Sequence, residues 1–223
     1  MRPGFRVRVF KDPVSSTTHF VAFLMAVVAS LMLLERVAHD GPKAAGMAVY
    51  AGSVVLLFLA SSFYHWFDLG ERGNLWLRRL DHAAIFLMIA GTAVPAAIHL
   101  LDGVWRVVLL SLVLGFGIAG AVLKIVWIDC PRWLGITLYF GLGALALVPA
   151  PFVVSQLSVG AAAWLFGGVL AYSAGALVYA RHWPDPWPGR FGFHEIWHLL
   201  VILGASAHFA FQYSFVALPY APL

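Results

Sequence analysis

From Trp133 to Ala180 the chain runs for 48 residues without a single Asp, Glu, Lys or Arg. Water cannot solvate a surface built from such a run, but a bilayer can. Five shorter runs share the property: Pro13 to Leu34, Ala44 to Phe67, His82 to Leu101, Val107 to Leu123 and Ile196 to Leu223. About 20 apolar residues in a helix cross roughly 30 Å of hydrocarbon. Lipid cannot satisfy open backbone groups, so spans of this kind must be helices. The longest run is interrupted by Val148-Pro149-Ala150-Pro151 and the polar Ser155, Gln156 and Ser158, which divides it into two helices. The expected fold is therefore all-α, an integral membrane protein of seven transmembrane helices in one domain spanning 1–223. The approximate spans are 13–34, 44–67, 80–101, 105–126, 133–152, 158–180 and 192–216. The first apolar run, at 22 residues, exceeds the 7 to 15 or so of a cleavable signal core and is expected to be retained as a span.

Composition agrees. Only 24 of 223 residues are charged, or 11% against roughly 25% in an ordinary soluble domain. The basic excess of four charges is scattered, which argues against nucleic-acid binding. Its distribution reports orientation instead, because cytoplasmic segments retain Lys and Arg. Eleven of the 14 basic residues fall on the N-terminus and the even-numbered loops, leaving Arg36, Lys43 and Arg106 on the other side. This predicts a cytoplasmic N-terminus and an outside C-terminus. The single Cys130 permits no internal disulfide and is read as inert. Gly115, Gly117, Ala119 and Gly120, like Gly167, Gly168 and Gly175, are read as close-packing faces between helices.

Polar residues inside spans are costly and usually have partners or functions. Five converge at one end of the expected bundle. Ser61 and His65 lie near the end of span two, Asp81 at the start of span three, and His194 and His198 at the start of span seven. Ser61 and His65 are four residues apart, as are His194 and His198, so each pair shares a helix face. His194 and His198 form a two-point metal platform, and His65 is the natural third ligand. Three imidazoles leave a tetrahedral position open for water, the pattern of catalytic zinc, although iron, copper or nickel would also suit them. Asp81 is the candidate general base, and Ser61 is a candidate to orient an imidazole or to donate to an oxyanion. The plainer alternatives are packing histidines, Asp81 as a helix cap or a partner of Arg78 or Arg79, and Ser61 bonded back to a carbonyl.

His194-Glu195-Ile196-Trp197-His198 also matches H-E-x-x-H, in which Glu would be a metalloprotease base. No Asp or Glu follows Glu195 to supply the further acidic ligand, so the protease reading is disfavoured. His208 lies ten residues beyond His198, about 15 Å along a helix, too far to share an ion. A hydrogen bond across helices is its expected role. His19 and His82 are candidate outer partners of the site, with His82 turned about 100° from Asp81 around the helix.

Together these motifs resemble the hemolysin III proteins and the related progestin and adipoQ receptors, which include the adiponectin receptors. The residues that carry the resemblance are Ser61-Ser62-Phe63-Tyr64-His65, Leu80-Asp81-His82-Ala83-Ala84-Ile85-Phe86 with Gly91-Thr92 and Pro95, and His194-Glu195-Ile196-Trp197-His198 with His208-Phe209. Thr18-His19 is a weaker fourth motif. The resemblance implies seven helices and a Zn2+ ion in the cytoplasmic leaflet, held by residues matching His65, His194 and His198. Asp81 would sit near the bound water and Ser61 beside the site. Alkaline ceramidases belong to the wider superfamily, so the resemblance also implies a membrane lipid, ceramide-like, as partner and substrate, cleaved at its amide. The family name records instead a haemolytic, pore-forming activity. Ala93-Val94 departs from the family's more polar pattern, which bears on substrate contacts and not on the metal. Three functions thus stand side by side: a zinc-dependent lipid hydrolase, a non-enzymatic sensor or receptor with structural zinc, and a pore.

Overall fold

The computed structural model describes residues 8–148 and 150–218. A two-residue strand β1 (Arg8–Val9) leads into α1 (Pro13–Arg36) and α2 (Gly41–Trp66), and a second short strand β2 (Phe67–Asp68) into α3 (Gly70–Leu100). Helices α4 (Gly103–Val126), α5 (Arg132–Ala146), the four-residue α6 (Ala150–Val153), α7 (Val159–Arg181) and α8 (Phe193–Phe211) follow. A π turn, Gln212–Val216, extends α8. The protein is all-α, with seven long helices, six of them long and apolar enough to cross a membrane.

Local chemistry sets several boundaries. Asp40 caps α2 by accepting from the Lys43 N–H at 3.1 Å, and Ser158 caps α7 by accepting from Ala161 at 3.2 Å. Two helices differ in extent from the expected spans. Helix α3 starts at Gly70 rather than near residue 80, and its 31 residues reach about 46 Å. Its first turns, carrying Glu71, Arg72, Arg78 and Arg79, therefore continue the helix past the apolar stretch. Helix α5 has 15 residues, about 22 Å, and ends at Ala146 instead of continuing through residue 152. A turn at Leu147 and Val148 separates it from α6.

The outer surface is apolar, as a lipid-facing surface must be. On α1 alone, Leu24, Met25, Val28 and Leu31 are exposed. Half or more of the spanning stretch of α2 and α3 is buried, against 22% for α1 and α7, so α2 and α3 form the centre of the bundle. The glycine faces divide. A Cβ on Gly175 would lie 2.8 Å from Trp197, and one on Gly117, Gly120 or Gly168 would run into Ala90, the Phe86 ring or the His208 ring. These four permit close helix contact. Gly115 and Gly167 meet nothing within 4 Å and are not packing positions.

Consecutive long helices run in alternating directions, which brings particular termini together. Strand β1 pairs antiparallel with β2, with Arg8 opposite Asp68. Arg78 at the start of α3 bonds Asp129 in the α4–α5 loop at 2.9 Å, and Arg132 at the start of α5 contacts His182 at the end of α7. The candidate site lies at this end.

Candidate metal centre

His65 comes from the last turn of α2, and His194 and His198 from the first two turns of α8. One ring nitrogen of each lies within 4.8 Å of the others, a group that could hold a metal ion. Ligands at about 2.0 to 2.1 Å from a tetrahedral zinc sit roughly 3.3 Å apart, so nitrogens within 4.8 Å of one another would draw together by up to about 1.5 Å to share one. His65 Nε2 and His198 Nδ1 are buried and, among the described residues, have no hydrogen-bond partner. Buried ring nitrogens left without a proton partner suit a metal's donor set.

The carboxylate of Asp12 settles the tautomer of His65. His65 Nδ1 lies 2.8 Å from Asp12 Oδ2 and donates to it, which leaves the Nε2 lone pair facing the cluster. This bond holds the Asp12 carboxyl below its ordinary range. The backbone reinforces it, since Asp12 N–H donates to the His65 carbonyl at 2.9 Å and Lys11 N–H to that of Trp66 at 3.3 Å. The β1–β2 clip thus delivers Asp12 to His65. Asp12 was not among the sequence candidates. Its only signal was a carboxylate preceding the first span by one residue, and nothing in the helix periodicity links it to a histidine 53 positions away.

His19 stacks on His198 with ring centroids 3.8 Å apart and planes inclined by 19°. It is a packing partner of one histidine in the cluster rather than a member of it. Asp81 is also outside the three-histidine group, but it lines the same cavity as His194, His198 and Ser61. It stands in the twelfth position of α3, so it caps no helix, and Arg78 is taken by Asp129. Its polar neighbours are Ser61 and His82, whose Nδ1 lies 3.4 Å from Asp81 Oδ2. The 100° or so between adjacent positions on a helix therefore does not separate these two side chains. Ser61 is 2% exposed.

Three other residues take structural roles. Glu195 Oε2 accepts from the Gly192 N–H at 2.8 Å and Oε1 from the Ser15 hydroxyl at 3.1 Å, so it caps α8 and ties it to α1. His208 Nε2 donates to the Leu165 carbonyl on α7 at 3.2 Å, the bond across helices expected of it. Gln212 Nε2 similarly donates to the Thr92 carbonyl on α3 at 3.1 Å.

Two spaces meet at the cluster. A cavity of about 510 Å³ runs between α3, α5, α7 and α8 and is walled mainly by apolar side chains such as Ile85, Met88, Leu165 and Val201. Phe140 on α5 lines it and is 46% exposed. A second cleft of about 290 Å³ is lined by Lys11, Asp12, Asp185, Arg190 and Glu195. His194 belongs to both walls.

An all-α bundle with apolar outer faces and a three-histidine group, two of them buried and His194 partly so, defines an integral membrane protein with a potential metal centre inside it. Its sequence matches the Haemolysin-III related family over residues 7–209, and the chain belongs to that family. It is 27% identical over 197 residues to the hemolysin-3 homolog of Bacillus subtilis (strain 168), an alignment covering 87% of this chain and 89% of that protein. With hemolysin-3 of Bacillus cereus the identity is 29% over 215 residues, covering 96% and 94%. The adiponectin receptor protein of Drosophila melanogaster is 28% identical over 242 residues, covering 93% of this chain and 52% of the receptor.

Proposed function

We propose that this protein is a zinc-dependent hydrolase of lipid amides, ceramide-like in their chemistry, acting in the cytoplasmic leaflet of a bacterial inner membrane. The observation that carries the reading is the shared position of His194. Hydrolysis of a lipid needs an amide from the bilayer and a water from the aqueous side, and His194 separates an apolar cavity from a polar cleft. The leaflet assignment rests on the basic residues gathered at the same end of the bundle.

Zinc held by His65, His194 and His198 would supply Lewis acidity, polarising the amide carbonyl and making a water acidic enough to lose a proton near neutral pH. Asp81 accepts that proton from its position on the cavity wall and returns it to the departing amine. Ser61, a polar neighbour of Asp81, orients its carboxylate by donating its hydroxyl to it. Asp12 holds His65 in the tautomer that presents Nε2. The apolar walls take up the acyl chain and exclude competing water.

The test combines elemental analysis with a lipid-hydrolysis assay on the purified protein. About one zinc per chain and release of fatty acid from a ceramide are expected, both lost in His194→Ala. Asp81→Asn should keep the metal and lose turnover. Bound zinc with no hydrolysis across a panel of lipid amides and esters would refute the enzyme. A second reading, a sensor in which zinc staples α2 to α8, is favoured by the ligands coming from these two helices. In that case Asp81→Asn leaves the cellular effect intact.

A further inference from the structure

Lys124, in the last turn of α4, is 4% exposed and lines the large cavity. Its ammonium donates to the Cys130 thiol at 3.1 Å. It also lies against α5, where a Cβ on Gly135 would come within 2.9 Å of Nζ. An ammonium has three protons to donate, and a thiol is a weak, neutral acceptor for one of them. A buried charge requires an anion. Among the described residues the one carboxylate lining this cavity is Asp81, whose polar neighbours are Ser61 and His82. Two further cations line the same space. Arg132 bonds the His182 ring and lies 5.6 Å over Tyr179, and Arg78 bonds Asp129. The cavity thus joins a long apolar section to a cationic end from α3, α4 and α5, and its most buried cation has no carboxylate partner among the described residues.

We propose that Lys124 and Arg132 form an anion-binding subsite that takes the head group of a membrane lipid, a phosphate or carboxylate, while the chains occupy the apolar section. This rests on the hydrolase reading and adds to it a place in the same cavity for the anionic head group of a membrane lipid. Its test reads binding rather than turnover, so each can fail without the other.

The full chain, purified in neutral detergent, is titrated with phosphatidylglycerol, phosphatidylcholine and glycerol phosphate, with bound lipid counted by native mass spectrometry and stability followed by thermal shift. Wild type should bind phosphatidylglycerol at least about tenfold more tightly than phosphatidylcholine, with a matching rise in Tm. Lys124→Met should lose that preference and Lys124→Arg should keep it, separating charge from packing. Should Lys124→Met fail to fold, Arg132→Gln at an exposed position carries the test and should weaken the preference severalfold. Arg181→Gln, exposed at the same end of the bundle and outside the cavity lining, should change nothing. Equal binding of the two lipids by wild type overturns the proposal. So does a loss in Arg181→Gln as large as in Lys124→Met, which means general surface attraction. Glycerol phosphate binding as tightly as phosphatidylglycerol would mean a soluble anion and overturn the lipid assignment.

Discussion

Asp12 gives a sharp quantitative test of the metal centre, because among the described residues its carboxylate bonds the His65 ring alone. It stands at the N-cap of α1 yet makes no side-chain cap bond, and Oδ2 is engaged instead by His65 Nδ1 at 2.8 Å. Asp12→Ala therefore removes no helix cap. It also leaves intact the backbone bond from residue 12 to the His65 carbonyl. Metal-free stability should fall by less than about 1 kcal/mol, the range of an exposed ion pair, since the Asp12 side chain is 44% exposed. Metal affinity should fall much further. Without the carboxylate the imidazole loses its fixed tautomer and part of its basicity, and removal of such partners typically weakens binding about 10- to 100-fold, or about 1.4 to 2.7 kcal/mol. Asp12→Asn retains an acceptor for Nδ1–H and loses the charge, so it should lie between wild type and Ala. Zinc affinity is read by competition against a chelator of known strength, alongside melting curves of the metal-free proteins. If Asp12→Ala binds zinc like wild type, His65 Nε2 is not a ligand presented by this bond. If the metal-free protein loses several kcal/mol, Asp12 serves the fold instead.

Glu195→Gln should keep zinc binding and lipid hydrolysis while lowering stability by about 0.5 to 1 kcal/mol, the value of a charge at a helix N-terminus. Thermal shift and turnover on one sample check both parts. Gly120→Ala forces a methyl into the buried Phe86 ring and should cost about 1 to 3 kcal/mol of overpacking. Gly115→Ala, on the exposed side of the same helix and meeting nothing within 4 Å, should be neutral or stabilising by up to about 1 kcal/mol; melting of the pair in one detergent decides. Chelation of wild type should remove about 3 to 4 kcal/mol of stability if zinc is held at about 100 to 1,000 times its Kd. His65→Ala should show no response to the chelator.

The spans were legible because their signal is additive: each needs only a long run without charge, and every residue contributes. The three histidines were legible because two lie at i,i+4 and the third falls at the same end by counting helices. What stayed hidden depends on tertiary contact. The extra turns of α3 from Gly70 to Leu80 carry charges, so an apolar-run criterion excludes them although their backbone is helical. The shortening of α5 depends on where a helix frays before a proline-rich segment, which composition does not fix. Asp12 reaches His65 through a two-stranded clip of two residues each, too short for any strand pattern to register. The stacking of His19 on His198 needs α1 packed beside α8, a neighbour relation that loop lengths leave open.

The string His194-Glu195-Ile196-Trp197-His198 shows how the same letters can divide their labour differently. On a helix, Glu195 is turned about 100° from His194, and that turn decides its role in this bundle. The first turn of α8 has open N–H groups that need acceptors, and Glu195 at the third helical position supplies one through Gly192 while bonding Ser15 of α1. Those two bonds fix the turn that carries His194. A carboxylate committed in this way cannot also move toward a substrate in the cavity, where the lining carboxylate is Asp81 from α3. In the proposed hydrolase the acid–base group, Asp81 of α3, and the metal ligands of α2 and α8 therefore come from different helices, and the packing of those helices sets the distance between them. A hydrolase built on this plan would be sensitive to any shift between those two helices, and the cavity between them is where a bound lipid chain would produce one.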